Sequence, residues 1–300
     1  MNKTKQSLND YLYKKNCEFF INKSLKAHTT IGIGGPTSVF VAPSTEETLI
    51  DIINYLRNLH IKYRILGRGS NVIPDDEAND LIISSCNIHQ IEYLSSGIVV
   101  NAGFSINKLI LELAEHELSG FEFLSGLPGT VGGALYMNAG AFGREIGDFF
   151  ESARVIDKKG KIITVKKEDI TFSYRNSTFR KRNYTILEAT FSLNKDSKTK
   201  IEKRSDSVIK QRMNKQPVGW KSAGSIFKRP NSGFSVGFAI DKLGLKGIRF
   251  GGAEVSKKHA GFIINKGNAT QNDVKQLIDF LKEKIEYHFD VSLETEVELW

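Results

Sequence analysis

Apolar positions recur along the chain with two periods, ~3.6 where a helix is expected and 2 where a strand is. Ser44 and Glu47 have the spacing of a capping box, which starts a helix predicted to run to about Leu59. A strand-like run follows at Tyr63–Leu66, with others at Leu81–Ser84 and 97–102. Ile106, Leu109, Ile110 and Leu113 then fall on one face of a helix predicted over 106–117. Residues 124–143, LSGLPGTVGGALYMNAGAFG, interrupt both periods with glycine. Strand patterns return at 153–156 and 162–165, on either side of the turn Lys158-Lys159-Gly160, and again at 185–193. The polar stretch 194–200 reads as a boundary before a basic helix that ends near Lys215. Beyond it the pattern predicts strands near 225–228 and 261–265. A helix capped by Thr270 with Asp273 then runs to about Phe289, and a last strand spans 291–299. No internal repeat and no low-complexity segment stands out.

These elements predict an α+β chain, and 300 residues are about twice an ordinary domain. We expect an N-terminal extension over 1–30 and a first domain over 31–196, built of two subdomains split near 67. A second α+β domain covers 197–300, its last strand, 291–300, being free to return to the first domain. With 40% apolar and 25% charged residues the composition is that of a globular protein, not of a disordered chain. The polar opening MNKTKQSLNDYLYKKNCEFF lacks the apolar stretch of a secretory signal. No apolar run reaches the ~18 residues of a membrane span, so a soluble protein with no membrane partner is expected. Cys17 and Cys86 stand alone and the six histidines form no HExxH pattern, so neither a disulfide framework nor a metal site is expected.

Charge is unevenly distributed. Residues 1–150 carry 12 Lys and Arg against 16 Asp and Glu, a balance of −4, whereas 151–300 carry 30 against 18, a balance of +12. The basic half suits an anionic ligand, although the runs Lys158-Lys159 and Lys166-Lys167 read better as solvated surface. Nucleic acid would fit the sign of the charge, but aromatics are not interleaved with the basic runs and no helix-turn-helix or zinc-finger spacing appears.

Two glycine clusters invite a phosphate. Gly67-Arg68-Gly69-Ser70-Asn71 follows a strand but has Val72 where the third glycine of GxGxxG belongs, so a nicotinamide-binding Rossmann turn fails. Gly126-Leu127-Pro128-Gly129-Thr130-Val131-Gly132-Gly133 lacks the Lys-Ser/Thr of a Walker loop. Neither Ser70 nor Ser225 has the GxSxG frame of a hydrolase elbow. Successive amides freed of side chains can still hold a diphosphate, and each cluster alone also reads as a tight turn.

The strings Leu66-Gly67-Arg68-Gly69-Ser70-Asn71, Ser125-Gly126-Leu127-Pro128-Gly129-Thr130-Val131-Gly132-Gly133-Ala134 and Asn138-Ala139-Gly140-Ala141 resemble the flavin half of the UDP-N-acetylenolpyruvoylglucosamine reductase family. The likeness continues through Ser173-Tyr174-Arg175-Asn176-Ser177, Lys215-Gln216-Pro217, the run from Ser222 to Pro230, the run from Val255 to Phe262, and Leu293-Glu294-Thr295-Glu296-Val297. It covers about Ile31 to Val297, with the motifs in family order. The resemblance implies a vanillyl-alcohol-oxidase-type FAD-binding fold over 31–196 and a substrate domain over 197–300. It implies noncovalent FAD, NADPH as hydride donor, and UDP-N-acetylglucosamine enolpyruvate as substrate. The activity would be a cytoplasmic step of peptidoglycan precursor synthesis, with both nucleotides using one cleft in turn.

Three catalytic roles are implied. Arg175 would stabilise charge on the substrate carboxylate, since a guanidinium fork matches it and stays protonated. Ser225 would protonate the carbon beside the one that receives the hydride, and Glu296 would hold the enolic form. Gly67, Arg68, Gly69, Ser70, Asn71, Pro128, Gly129, Thr130, Gly132 and Gly133 would cradle the FAD pyrophosphate. Asn138, Ala139 and Gly140 would line the flavin, with Arg212 near the cofactor. Tyr174, Lys215, Gly224, Lys228 and Arg229 would meet the UDP-sugar. Lys258 and His259 lie in a matching motif with no role assigned. Two features depart from the common family pattern: Glu298 stands where a basic residue is frequent, and the span between Ser177 and Lys215 is too short for an inserted tyrosine loop. The chain therefore resembles the family's loopless second subclass, and a monomer is expected.

Other readings remain open at the level of sequence. An alcohol or lactone oxidase with the same type of FAD domain would not need the Ser225 and Glu296 pair. No histidine or cysteine stands in the two glycine strings to tether a flavin covalently. A basic nucleic-acid-binding protein would be colourless and bind DNA with steep salt dependence.

Overall fold

The computed structural model describes residues 2–77, 80–230 and 233–300, with side chains from residue 8 onward. The chain forms two compact units, one of Met1–Asn22, Ser38–Arg68 and Asp80–Ile209, the other of Lys23–Thr37, Gly69–Asn79 and Lys210–Trp300.

Among the described residues the first unit holds two multi-stranded sheets beside three two-stranded pairs. In the smaller one the strands lie in the order 18–21, 39–42, 81–84, 63–66, the first pair antiparallel and the others parallel. Helices α1 (Asn2–Lys14) and α2 (Glu46–Asn58) share its core, Leu8, Leu12, Leu49, Ile52 and Leu56 packing with Val39, Val41 and Ile83. The N-terminal segment is therefore structured. Tyr11 stacks on Tyr55 with ring centroids 3.7 Å apart, and Lys15 pairs with Asp51. Helix α2 starts one residue later than its capping pattern suggested. Thr45, not Ser44, is the N-cap, its hydroxyl accepting from the Thr48 amide at 3.1 Å. Glu46 then opens the helix, and its carboxylate reaches Arg154 at 2.8 Å, a tertiary contact that the local pattern does not contain.

The larger sheet is antiparallel, in the order 162–166, 150–156, 185–192, 97–101, 91–94. Its first hairpin turns where Asp157 accepts the amides of Lys159 and Lys161, both at 2.8 Å, and Gly160 takes a φ of +81°. The lysines at 158, 159, 166 and 167 are all exposed, the solvated reading of those runs. Helix α3 (Ile106–Glu115) buries its predicted face of Ile106, Leu109, Ile110 and Leu113 among Phe121, Phe150, Phe179 and Phe191. Short helices α4 (Val131–Tyr136) and α5 (Thr178–Arg182) complete this core. With the strand Thr185–Ser192 and helix α6 (Lys198–Lys215), α5 accounts for the span after Ser177, which leaves no long inserted loop there.

The second unit is an antiparallel sheet in the order 221–225, 262–265, 253–255, 249–250, packed with α7 (Val236–Lys242) and α8 (Gln271–Phe289). Helix α8 is the one the pattern predicted. Thr270 and Asp273 cap it reciprocally, it buries Val274, Leu277, Ile278, Leu281 and Ile285, and it ends at Asp290 in the left-handed region. Ile31 and Ile33 are fully buried in this unit's core. Two expected strands differ. The one placed at 225–228 forms instead at Lys221–Ser225, where Gly224 at φ +83° and a register shift between Ser222 and Ser225 disrupt the ladder and a single further pair, Ser225 with Phe262, closes it. Ile226 and Phe227 then turn into the core. The strand expected over 291–299 is reduced to Glu298–Leu299, because its parallel partner, Val72–Ile73, is only two residues long.

Candidate active site

In the first unit the two glycine loops meet. A Cβ on Gly67 would stand 2.5 Å from the Thr130 hydroxyl, so only glycine allows the approach. Thr130 caps α4 by accepting from the Gly133 amide at 3.3 Å. Gly132 lies against Ala102, its amide donating to the Ala102 carbonyl at 2.8 Å, and the buried Gly129 accepts from the Ile106 amide at 3.0 Å. Pro128 and Gly133 are exposed, and Arg68 projects to solvent. A cradle for a diphosphate needs open space beside the backbone and an unspent polar group, and both are present. Around Gly133 a Cβ would meet nothing nearer than 3.4 Å, and the buried Ser125 hydroxyl has no hydrogen-bond partner. These residues fit FAD, and Ser125 is the one that the sequence reading quoted in its motif and left without a role.

Asn138 is fully buried at φ +48°. Its amide nitrogen donates to Glu145 and to the Ser173 carbonyl at 3.1 Å, and its oxygen accepts from Gly147 at 3.2 Å. The side chain thus fixes the base of the hairpin Phe172–Ser173 and Asn176–Ser177, at whose apex Tyr174 and Arg175 sit. Arg175 is held there in the left-handed region, φ +52°, which costs a non-glycine residue about 1 kcal/mol. Its guanidinium donates to the Gly140 carbonyl at 2.9 Å and lies 5.0 Å from the Tyr174 ring centroid. Ala139 and Gly140 are half-buried.

In the second unit Gly69, Asn71, Ser225 and Glu296 form a connected group. Gly69, at φ +59°, would place a Cβ 2.2 Å from the His28 carbonyl oxygen. Asn71 donates its side-chain amide to the Glu296 carbonyl at 3.1 Å, and its own carbonyl accepts from Glu298 at 2.9 Å. Glu298 is thereby engaged through its backbone in the short parallel pair. Ser70 is half-buried between Gly69 and Asn71. Ser225 follows the bulge at Gly224, where a Cβ would meet nothing within 4 Å, and faces Phe262 across the ladder. The Glu296 amide donates to the Ile226 carbonyl at 2.7 Å and Phe227 bridges Thr295, so the segment after Ser225 and the one bearing Glu296 run side by side. Lys228 pairs with Glu294 at 3.0 Å, and Arg229 and Lys215 are exposed, with Arg212 half-buried on α6. Among the described residues no cluster of metal-ligating side chains occurs, and both cysteines are free thiols, with burial pushing Cys17 up to about 11. No helix of the described residues is long and apolar enough to cross a membrane.

A family model for the C-terminal domain of UDP-N-acetylenolpyruvoylglucosamine reductase matches residues 216–300, and one for an FAD binding domain matches 37–166. The UDP-N-acetylenolpyruvoylglucosamine reductase of Fervidobacterium nodosum is 43% identical over 290 residues, 96% of this chain and 94% of that one. The protein of that name from Thermosipho melanesiensis is 44% identical over 292 residues, 97% and 99% of the two chains. A crystal structure of the Thermus caldophilus reductase superposes with a TM-score of 0.79 at 34% identity, covering 95% of this chain and 98% of that one.

Proposed function

The chain belongs to the UDP-N-acetylenolpyruvoylglucosamine reductase family, and on that premise we propose that it reduces UDP-N-acetylglucosamine enolpyruvate to UDP-N-acetylmuramate with NADPH. When bound, FAD supplies the hydride relay between the nicotinamide and the enolpyruvyl ether. Residues 31–196 hold that cofactor and 197–300 serve the UDP-sugar, a division supported by the two family models. The meeting of Gly67 with Thr130 and the unspent Ser125 hydroxyl support the pyrophosphate cradle.

Arg175 takes the substrate carboxylate, where charge accumulates as the hydride arrives, and its strained hairpin apex supports that role. Ser225 Oγ gives its proton to the neighbouring carbon. A hydroxyl is a weak acid, so exclusion of water and the basicity of the enolate-like carbon drive the transfer. Glu296 hydrogen-bonds the enolic form while it lasts. Tyr174, Lys215, Gly224, Lys228 and Arg229 bind the UDP-sugar. For Lys228 this means exchanging Glu294, 79% exposed and hence easily released, for phosphate.

The observation that carries the reading is the Glu296 amide bond to the Ile226 carbonyl, which ties the proposed acid Ser225 to its partner Glu296 within one unit. The reading places the enzyme in the cytoplasm as a monomer, which light scattering on the purified protein checks. The direct experiment is optical. The protein should be yellow, bleach anaerobically with NADPH, and regain its colour on adding the enolpyruvyl substrate. Bleached protein that the substrate leaves colourless would refute the proposal.

A further inference from the structure

The loop between the strands Ala253–Val255 and Phe262–Asn265 is built around two side chains that the mechanism does not use. The Ser256 hydroxyl, almost fully buried, accepts from the amides of Lys258 at 3.2 Å and His259 at 3.3 Å. The His259 Nδ1 accepts from the Gly261 amide at 3.1 Å. The loop is closed by Phe262 donating to the His259 carbonyl at 3.0 Å and Ser256 donating to the Phe262 carbonyl at 2.9 Å. Gly261 is thus fixed at its amide by an imidazole. Its carbonyl is fixed too, accepting from the Ile226 amide at 3.0 Å, and the Ile226 carbonyl in turn accepts from the Glu296 amide at 2.7 Å. Ile226 follows Ser225 directly, just past the last pair of the ladder, Ser225 with Phe262. The seat of Ser225 therefore depends on Gly261.

We propose that His259 is a positioning residue for the reduction, its Nδ1 acting as the acceptor that orients Gly261 and so holds Ser225 and Glu296 in register. This rests on the roles given to Ser225 and Glu296 above. Nδ1 can accept only while the ring is neutral, with its proton on Nε2. The surroundings favour that form. Burial lowers the imidazole most, a backbone hydrogen bond offsets part of that and the Lys246 ammonium adds to it, so the ring lies below its ordinary value of 6.5. From α7 the ring meets Gly237, where a Cβ would lie 3.3 Å from its Cε1, and from the sheet it meets the edge of Phe262 at 4.9 Å between centroids. Lys246 is itself paired with Asp241 at 2.6 Å. Of the loop's own cations, Lys257 is exposed and Lys258 reaches the Met213 carbonyl.

The test compares His259→Phe, which keeps the volume without the acceptor, with His259→Asn, whose Oδ1 can replace Nδ1. In the FAD-loaded proteins, flavin bleaching by NADPH and recovery by substrate are timed separately across pH. Hydrogen exchange is followed at the Gly261 and Ile226 amides. His259→Phe should bleach at the parent rate, recover roughly 10- to 100-fold slower, and exchange both amides faster. His259→Asn should regain most of the recovery rate. The parent's recovery should fall as the pH drops through a value below 6.5, as the ring gains its proton, and His259→Asn should lack that limb. In a Ser225→Ala background, His259→Phe should slow recovery no further.

Recovery of His259→Phe at the parent rate, an equal loss in both half-reactions, or an unchanged acid limb in His259→Asn would overturn the inference. If Ser225→Ala itself recovers normally, the reading of Ser225 falls. If Ser225→Ala is slow and His259→Phe is not, only the role of His259 falls.

Discussion

Gly67→Ala adds a single methyl where the two glycine loops meet. Its carbon would stand 2.5 Å from the Thr130 hydroxyl oxygen and 3.3 Å from Thr130 Cγ2, well inside the ~3.5 Å at which attraction between heavy atoms is best. Thr130 must turn away and give up the bond that it accepts from Gly133 at 3.3 Å. Loss of that cap costs about 1 kcal/mol and the residual overpacking about 1–3 kcal/mol, so the variant should be destabilised by about 2–4 kcal/mol. Thr130→Ala alone should lose only the cap, about 1 kcal/mol. The double variant has room for the new methyl, so its loss should fall short of the sum by about 1–3 kcal/mol. Urea unfolding of the flavin-stripped proteins measures each value, and FAD titration reads the same disturbance as affinity, about tenfold in Kd for each 1.4 kcal/mol. A Gly67→Ala protein as stable as the parent, or strict additivity in the double variant, would refute the loop contact. Parent-like FAD affinity in a destabilised Gly67→Ala would refute the cradle.

Three further outcomes follow from other parts of the molecule. Burial acts to raise the Asp273 carboxyl, but the amides of Gly252 and Thr270 and the Thr270 hydroxyl outweigh it, and the group lies below its ordinary 3.8. Its contribution is therefore full above pH 3.8 and lost as the pH falls through the lower folded value. The gap of about 1 kcal/mol between the parent and Asp273→Ala in urea unfolding should close in acid. Arg204→Ala should cost about 1–2 kcal/mol, because it leaves the buried Glu122 carboxylate without the guanidinium that reaches it at 2.8 and 3.1 Å, and adding Glu122→Gln should restore part of the loss. Lys215→Ala and Arg229→Ala should raise KM for the UDP-sugar more than they lower kcat, with salt weakening the parent's binding as well. An unchanged KM in both removes them from the site.

Where local chemistry settles the backbone, the sequence was legible. The stripe Ile106, Leu109, Ile110 and Leu113 and the reciprocal cap of Thr270 and Asp273 became buried helix and capped terminus as read. The capping box read at Ser44 and Glu47 gives way to Thr45 as the N-cap, with Glu46 reaching Arg154 from 108 residues along the chain. Ile226 and Phe227 read as strand because they are apolar, yet the ladder ends one pair past the bulge, at Ser225 with Phe262. The chain enters the second unit three times, through 23–37, 69–79 and 210–300, and no periodicity announces that Ile31 and Ile33 pack with α8. The candidate site was legible only as motif strings in order. Asn138 shows the limit. The resemblance places it at the flavin, and no motif tells that its side chain also bonds Glu145, Ser173 and Gly147 at the base of the hairpin of Arg175. The Leu8, Tyr11 and Leu12 stripe of α1 was also present and unread.

The central claim is that Ser225 is the proton donor of the second half-reaction, and Ser225→Ala separates it from every other role. Reduction of the flavin by NADPH needs a hydride path and no proton from this side chain. Recovery by substrate needs a proton at the carbon next to the one attacked. In an anaerobic stopped-flow spectrometer the variant should bleach with NADPH at the parent rate. On mixing with substrate it should regain its visible absorbance slower by at least the ~10²-fold typical of a lost general acid, with Ser225→Cys restoring part of the rate. Recovery of Ser225→Ala at the parent rate would contradict the account.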